Sequence, residues 1–210
     1  HILNYTLDFL SDVTSDVVSS RMDDIEGSDI PLMGRTYYVS ELQNGSSTTS
    51  FGKLVLLDAA NEGNVAEGET VTVAGHEVSI DWIDPDEVVF NVDGVLSPGT
   101  GKLQKGQSYK LDDGSYIGVK SIKAKDVSGT IGSVSFSIGT GKLEINHNTD
   151  IKMNDNSITG MKGYVYKATS DKLDKIVIEW KTDDESYVTP VSELTMPGFG
   201  ALKFTMNDVV

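Results

Sequence analysis

The chain contains no cysteine. Disulfides, iron–sulfur clusters and thiolate-held zinc are therefore excluded, and the redox compartment leaves no mark on the sequence. Histidine is scarce: of His1, His76 and His147, one is terminal, one falls in a hairpin turn and one in a polar segment, so a Ser/His/Asp arrangement has no natural member. No run approaches the roughly 20 apolar residues of a spanning helix, and the start does not read as a secretory signal. Positive charge is also short, with 17 Lys and Arg against 32 Asp and Glu and a formal net charge of −15. Such a field repels phosphate backbones and anionic lipid, which argues against nucleic acid and direct membrane insertion and leaves cations and basic partners.

What is present is enough for a core. Hydrophobic residues make up 38%, too many for a disordered chain despite the acidity. The 210 residues allow one large β domain or two smaller ones. Glycine clusters in turn contexts such as Asp93-Gly94, Asp113-Gly114 and Gly139-Thr140-Gly141, the punctuation of many short strands.

Alternation of apolar and polar residues marks strands along most of the chain. "HILNYTLDF" (residues 1–9) is the first. Residues 10–30 read as a long polar connection with one helical turn around residues 21–26, and residues 43–50 as a loop. From residue 51 to 145 strand signals follow almost without pause. "NHNTDIKMNDNSITG" (residues 146–160) is poor in apolar residues and reads as a boundary, after which "KGYVYKA", "KIVIEW" and "GALKFTM" are strands. The expected organisation is a main β domain over 1–145 and a smaller β domain or extension over 146–210. The start at His1 and the apolar end "ALKFTMNDVV" suggest a piece of a longer polypeptide.

One hairpin occurs twice. "EGETVTVAGHEVSIDWI" (residues 67–83) aligns with "KGQSYKLDDGSYIGVKSI" (residues 105–122) after one inserted turn residue. Gly68 then matches Gly106, Val71 Tyr109, Val73 Leu111, Gly75 Gly114, Val78 Ile117, Ile80 Val119 and Ile83 Ile122. An apolar strand precedes each copy, "KLVLL" and then "VVFNV", so the unit reads as strand, loop, hairpin, over residues 52–83 and 88–122. Two copies are too few for a propeller or solenoid. The expectation is an all-β sandwich or barrel of duplicated units, with Gly75 and Gly114 in equivalent tight turns.

Acidic clusters are the main candidates for chemistry. Asp81, Asp84, Asp86 and Glu87 crowd a turn fixed by Pro85 and offer the hard oxygen ligands calcium takes, although without EF-hand spacing. The plainer reading is a solvated acidic turn. Asp23, Asp24, Glu26 and Asp29, and Asp183, Asp184 and Glu185, are weaker clusters. A glycosidase would need two opposed carboxylates, and no pair stands out among so many acids. "GTGKL" at 99–103 and again at 139–143 lacks a phosphate-loop frame and reads as turn chemistry. Two glycosylation sequons are present: Asn44, in a polar loop where a glycan could sit, and Asn4, in a strand that could be modified only on its solvent face.

The run "PLMGRTYYV", "KLVLL", the first hairpin, "VVFNVDG", the second hairpin and "VSFSIGTGKLEI", over residues 30–145, resembles archaeal surface-layer proteins of the methanogen type and their relatives. The resemblance rests on the order of strand-and-turn elements and does not reach the first 29 or last 65 residues. It implies an extracellular, glycosylated structural protein of the cell surface that assembles with copies of itself; the residues, which offer no catalytic constellation and no cofactor site beyond the calcium candidate, lean the same way. The alternative is a calcium-dependent adhesion module, for instance for carbohydrate, which would display Trp82, Tyr116, Tyr164, Tyr166, Trp180 or Tyr187 on one face.

Overall fold

A computed structural model describes residues 1–124, 131–182 and 185–206. It is all-β, its sheets curl into a half-barrel, and no helix occurs among the described residues. The first third supplies β1 (Leu3–Thr14), β2 (Val17–Val18), β3 (Arg21–Met22), β4 (Asp29–Leu32), β5 (Arg35–Gln43) and β6 (Lys53–Asp58). The middle supplies β7 (Glu62–Ala66), β8 (Thr70–Val73), β9 (His76–Ile83), β10 (Glu87–Val92), β11 (Val95–Ser97), β12 (Leu103–Gln104), β13 (Ser108–Lys110), β14 (Tyr116–Lys123) and β15 (Ser133–Gly139). There follow β16 (Lys142–Asn146), β17 (Thr149–Met153), β18 (Asn156–Thr169), β19 (Lys172–Trp180), β20 (Leu194–Thr195) and β21 (Lys203–Phe204).

The strands sort by pairing, and the division differs from the expected one. A ten-stranded sheet runs β1-β19-β18-β17-β16-β6-β5-β3-β2, with β4 also on β5, so it joins both ends of the chain. The boundary expected at residue 146 falls between β16 and β17, which pair through Leu143↔Met153. Residues 146–180 thus continue the first sheet. Their low apolar content has a local cause: tight turns with positive φ at Asn148, Asn154 and Asp155 occupy the segment, and the asparagine and aspartate there tolerate that backbone. The expected connection over residues 10–30 likewise carries the rest of β1 with β2, β3 and β4, and its helical turn is a hydrogen-bonded turn in which Glu26 N–H donates to Met22 C=O.

The segment between β6 and β16 forms a second body of two small sheets, β11-β10-β9-β8 with β12 on β10, and β13-β14-β15-β7. Both duplicated hairpins lie here, with Gly75 and Gly114 at positive φ in their turns. The strand of each unit, however, follows its hairpin. β6, which precedes the first hairpin, pairs with β5 and β16 in the other sheet. β9 instead pairs with β10 through Phe90↔Ile80, and β14 with β15 through Phe136↔Val119. Each pair carries a one-residue bulge at the matching step, at Asp81 on β9 and at Lys120 on β14. The repeat is therefore a three-stranded meander, in which Val88-Val89-Phe90-Asn91-Val92 corresponds to Val134-Ser135-Phe136-Ser137-Ile138.

Two cores result. The larger lies on one face of the ten-stranded sheet and includes Tyr37, Leu54, Leu56, Ile145, Val165, Ile178 and Trp180, with Met196 and Phe199 of the late loop buried against them. The smaller lies between the two meanders and includes Val78, Phe90, Val92, Ile117, Val119 and Phe136. β6 explains how they join: Leu54 and Leu56 face the larger core, while Val55 and Leu57 are buried on the opposite face, where Leu57 packs on Gly118. Burial on both faces is why "KLVLLD" reads as an unbroken apolar run.

Candidate functional site

The two meanders are tied together at their turns. His76 follows the first hairpin turn, Asp93 lies in the β10–β11 turn and Asp113 in the second hairpin turn. His76 Nδ1 is 2.7 Å from Asp93 Oδ2, and Nε2 is 3.2 Å from Asp113 Oδ2. A carboxylate only accepts, so both bonds form together only when the imidazole carries both protons. The Asp93 hydrogen bond, with the charges of both aspartates, raises the His76 pKa above its usual value. Asp93 is held below the usual carboxylate range by His76 and by the Glu77 N–H, and Asp113 by Ser115 and His76. Beneath this clamp is a cavity of about 250 Å³ floored by Val92, Val95, Tyr109 and Leu111. The Asp-Gly turns are visible in the sequence, but their meeting at one end of the second body is not.

Two further polar contacts join the second body to the first sheet. Lys120, on the β14 bulge, is buried; its ammonium lies 4.2 Å from the Tyr38 ring centroid and bonds Glu62, while Tyr38 O–H donates to Lys120 C=O at 3.2 Å. Asp58, 2% exposed, accepts from Thr140 N–H at 2.8 Å, Thr140 Oγ1 at 2.6 Å and Ala60 N–H at 3.0 Å. These bonds, with Arg35 nearby, lower its pKa against the opposing effect of burial. The second "GTGKL" thus wraps an aspartate, as turn chemistry implies.

Of the residues singled out for calcium, Asp84, Asp86 and Glu87 line one open cavity with Gln104, while Asp81 is not among its lining residues. Asp81 is exposed at the β9 bulge, Asp84 and Asp86 are exposed in the β9–β10 turn, and Glu87 is engaged by Lys102 at 3.3 Å and by Gln104 Nε2 at 3.3 Å. Among the described residues no group of three or more His, Asp or Glu is placed to hold a metal ion. Glu26 is committed to Arg21 at 2.8 Å and to the Leu42 N–H at 2.9 Å, and Asp24 to the Asp16 N–H at 2.8 Å. Asp183 and Asp184 lie outside the described residues.

The sequons differ in exposure. Asn4 is exposed on β1. Asn44 is partly buried with an enclosed, unpartnered Oδ1, in a loop pinned by Lys167, whose Nζ donates to Asn44 C=O at 3.3 Å and Ser47 C=O at 2.8 Å. Lys167 is itself buried, and desolvation lowers its pKa.

The aromatic residues do not share one exposed face. Trp180 is in the core, the Trp82 ring is covered by the Lys102 ammonium at 3.4 Å, and Tyr116 lies in another sheet. Tyr164 and Tyr166 stand parallel on β18 with the His147 ring edge-on to both; burial, and after it the hydrogen bond that Tyr164 O–H donates to Glu179 at 2.8 Å, push the Tyr164 pKa up to about 12. Tyr187 is 74% exposed on a separate loop.

Among the described residues, the longest strand with an open edge is β1. It ends the strand order of the ten-stranded sheet, bonded to β19 on one side and to no strand among the described residues on the other. Its register breaks between Asp8 and Val13, and on that protrusion Leu10 is 96% exposed, with Val13, Val17 and Val18 also exposed. No protein-family model matches the chain, and no curated protein or solved structure matches it.

Proposed function

We propose that this chain is a structural, non-catalytic domain of an extracellular surface layer that associates with copies of itself through the open edge of β1. The observation that carries the reading is that edge: twelve residues long, without a strand partner on one side among the described residues, with a 96% exposed leucine at its protrusion. A free row of N–H and C=O groups is a template for another strand, and natural proteins usually blunt it with charge (lysine above all), proline, a β-bulge or a covering element; the break after Asp8 interrupts β1 and leaves residues 3–8 as its regular open stretch. β1 contains no lysine and no proline. The polar clamps that fasten the second body to the sheet suit a scaffold that must transmit force, and the resemblance over residues 30–145 points the same way.

A net charge of −15 opposes contact between copies. Within a Debye length, about 8 Å at physiological salt, two such surfaces repel unless cations lie between them. Calcium enters this account as a bridge between carboxylates of different copies, Asp84 and Asp86 among them, and needs no cage within one chain. The glycan belongs on Asn4, on the solvent face.

Sedimentation of the full chain at fixed ionic strength, with calcium and with sodium alone, tests the proposal. Assembly in calcium that is lost in Leu10→Lys supports it. A monomer in every condition contradicts it.

A further inference from the structure

The hydrogen bonds at the edge of the ten-stranded sheet fix which groups of β1 are free. Just beyond β19, Lys181 N–H donates to Gly160 C=O on β18 at 2.8 Å. Successive residues of a strand turn their backbone groups to alternate sides, so Trp180, Ile178 and Ile176 turn theirs to β1. Trp180 C=O accordingly accepts from Ile2 N–H at 2.8 Å. The register partners of these three on β1 are Leu3, Tyr5 and Leu7, which are partly buried and pack on the larger core. Asn4, Thr6 and Asp8, whose side chains are exposed, therefore turn N–H and C=O to the open side.

Few strands can take up these groups. Among the described residues, the far end of the same sheet is β2, with two residues, and the strands that end the sheets of the second body are β11 and β13, with three each, β8, with four, and β7, with five. All are shorter than the regular stretch 3–8, and β1 of a second copy matches it in full. Outward residues must meet outward residues, which leaves few registers. With a two-fold axis at Thr6, Thr6 faces Thr6 of the second copy and Asn4 faces Asp8, so each outward N–H and C=O of these residues finds a bond. An axis at Tyr5 would set Asp8 against Ile2, whose N–H is committed to Trp180. An axis at Leu7 would set Asn4 against Leu10, beyond the break in register. The axis at Thr6 also sets Tyr5 against Leu7 on the core face and puts Asp8, the one charge of the stretch, opposite an amide that can donate to it, where two aspartates face to face would repel.

We propose that two copies of the chain pair β1 with β1, antiparallel, about a two-fold axis at Thr6. The inference rests on association through β1 and adds its symmetry and register. A two-fold contact of this kind closes on itself, so it makes a dimer, and growth of a layer from such dimers takes a second contact elsewhere on the surface. Side chains leave a strand across the plane of the sheet, so a glycan on Asn4 stands off the solvent face and leaves the backbone edge free.

The absence of cysteine makes single-cysteine cross-linking of the full chain a clean test. The Cα atoms of a hydrogen-bonded antiparallel pair stand about 5.5 Å apart, within reach of a disulfide, whereas the two Asn4 residues would lie four positions apart, about 13 Å, and out of reach. Oxidised in calcium, Thr6→Cys alone is expected to give a disulfide-linked dimer on a non-reducing gel. Asn4→Cys alone and Asp8→Cys alone are expected to stay as single chains, and a mixture of the two to give the mixed dimer. All three positions are exposed, so the substitutions leave the core intact. Cross-linking of Asn4→Cys as complete as that of Thr6→Cys overturns the proposal, since it reports random collision or another register. If the amides of β1 gain protection from hydrogen exchange on assembly while Thr6→Cys and the Asn4→Cys with Asp8→Cys mixture stay uncrosslinked, the two-fold pairing is overturned and association through β1 stands. Neither protection nor cross-linking overturns both.

Discussion

Phe90 and Phe136 face each other across the smaller core with ring centroids 5.5 Å apart, and each stands at the same step of its meander. Both are fully buried. The duplicated unit thus packs on itself, each copy supplying the aromatic residue that fills the other's face.

Equal roles imply equal costs. Phe90→Ala and Phe136→Ala are each expected to destabilise by about 3–5 kcal/mol, a large share of the roughly 5–15 kcal/mol of a typical domain. Denaturant unfolding of the two variants measures this. A small cost for one and a large cost for the other would mean that the meanders are not equivalent.

The His76 clamp makes stability depend on pH. Its folded pKa is raised, so its contribution is full below the unfolded value near 6.5 and is lost as pH rises through the folded pKa. Asp93 and Asp113 have lowered folded pKa values, so their contribution is present above the unfolded value near 3.9 and is lost as pH falls through the folded ones. The charged clamp is therefore strongest at mildly acidic pH, between those limits. Melting curves from pH 4 to 9 are expected to show a fall on the alkaline side for the native chain and a flatter profile for His76→Gln. A His76 ring titration at or below 6.5, followed by NMR, would remove the clamp.

Lys120 tests how the two bodies are joined. Its partner Glu62 has a side chain 41% exposed, so solvent screens the pair and a double-mutant cycle is expected to give a coupling below about 1 kcal/mol. The greater part of the cost lies in packing on Tyr38. Lys120→Met, which keeps the stem, is expected to destabilise less than Lys120→Ala, and the reverse order would make the charge dominant.

Exposure decides the glycan. Expression in a glycosylating secretory host followed by peptide mass spectrometry is expected to find Asn4 occupied and Asn44 bare. Occupancy of Asn44 alone would show that its loop opens before the chain folds.

The sequence reveals what depends on neighbours close in the chain. Alternation in residues 67–83 and 105–122, with Gly75 and Gly114 at the turns, was enough to place both hairpins. It marks residues 87–92 and 133–139 as strands but not as the third strands of the two units, because the connection from Ile83 to Val88 is much shorter than that from Ile122 to Val134, and unequal loops hide equivalent strands. Pairing of Leu3 with Trp180 leaves no local trace at all. The acidic turn at Asp81, Asp84, Asp86 and Glu87 stood out because its carboxylates are close in sequence, yet in space Glu87 turns to Lys102.

The most direct test of assembly through β1 is amide hydrogen exchange, residue by residue, on the monomer in sodium and on the assembled material in calcium. Protection is expected to rise in residues 3–14 on assembly, most of all at those amides of β1 that are not bonded to β19. Unchanged exchange in β1, with new protection confined to other strands, would contradict the account.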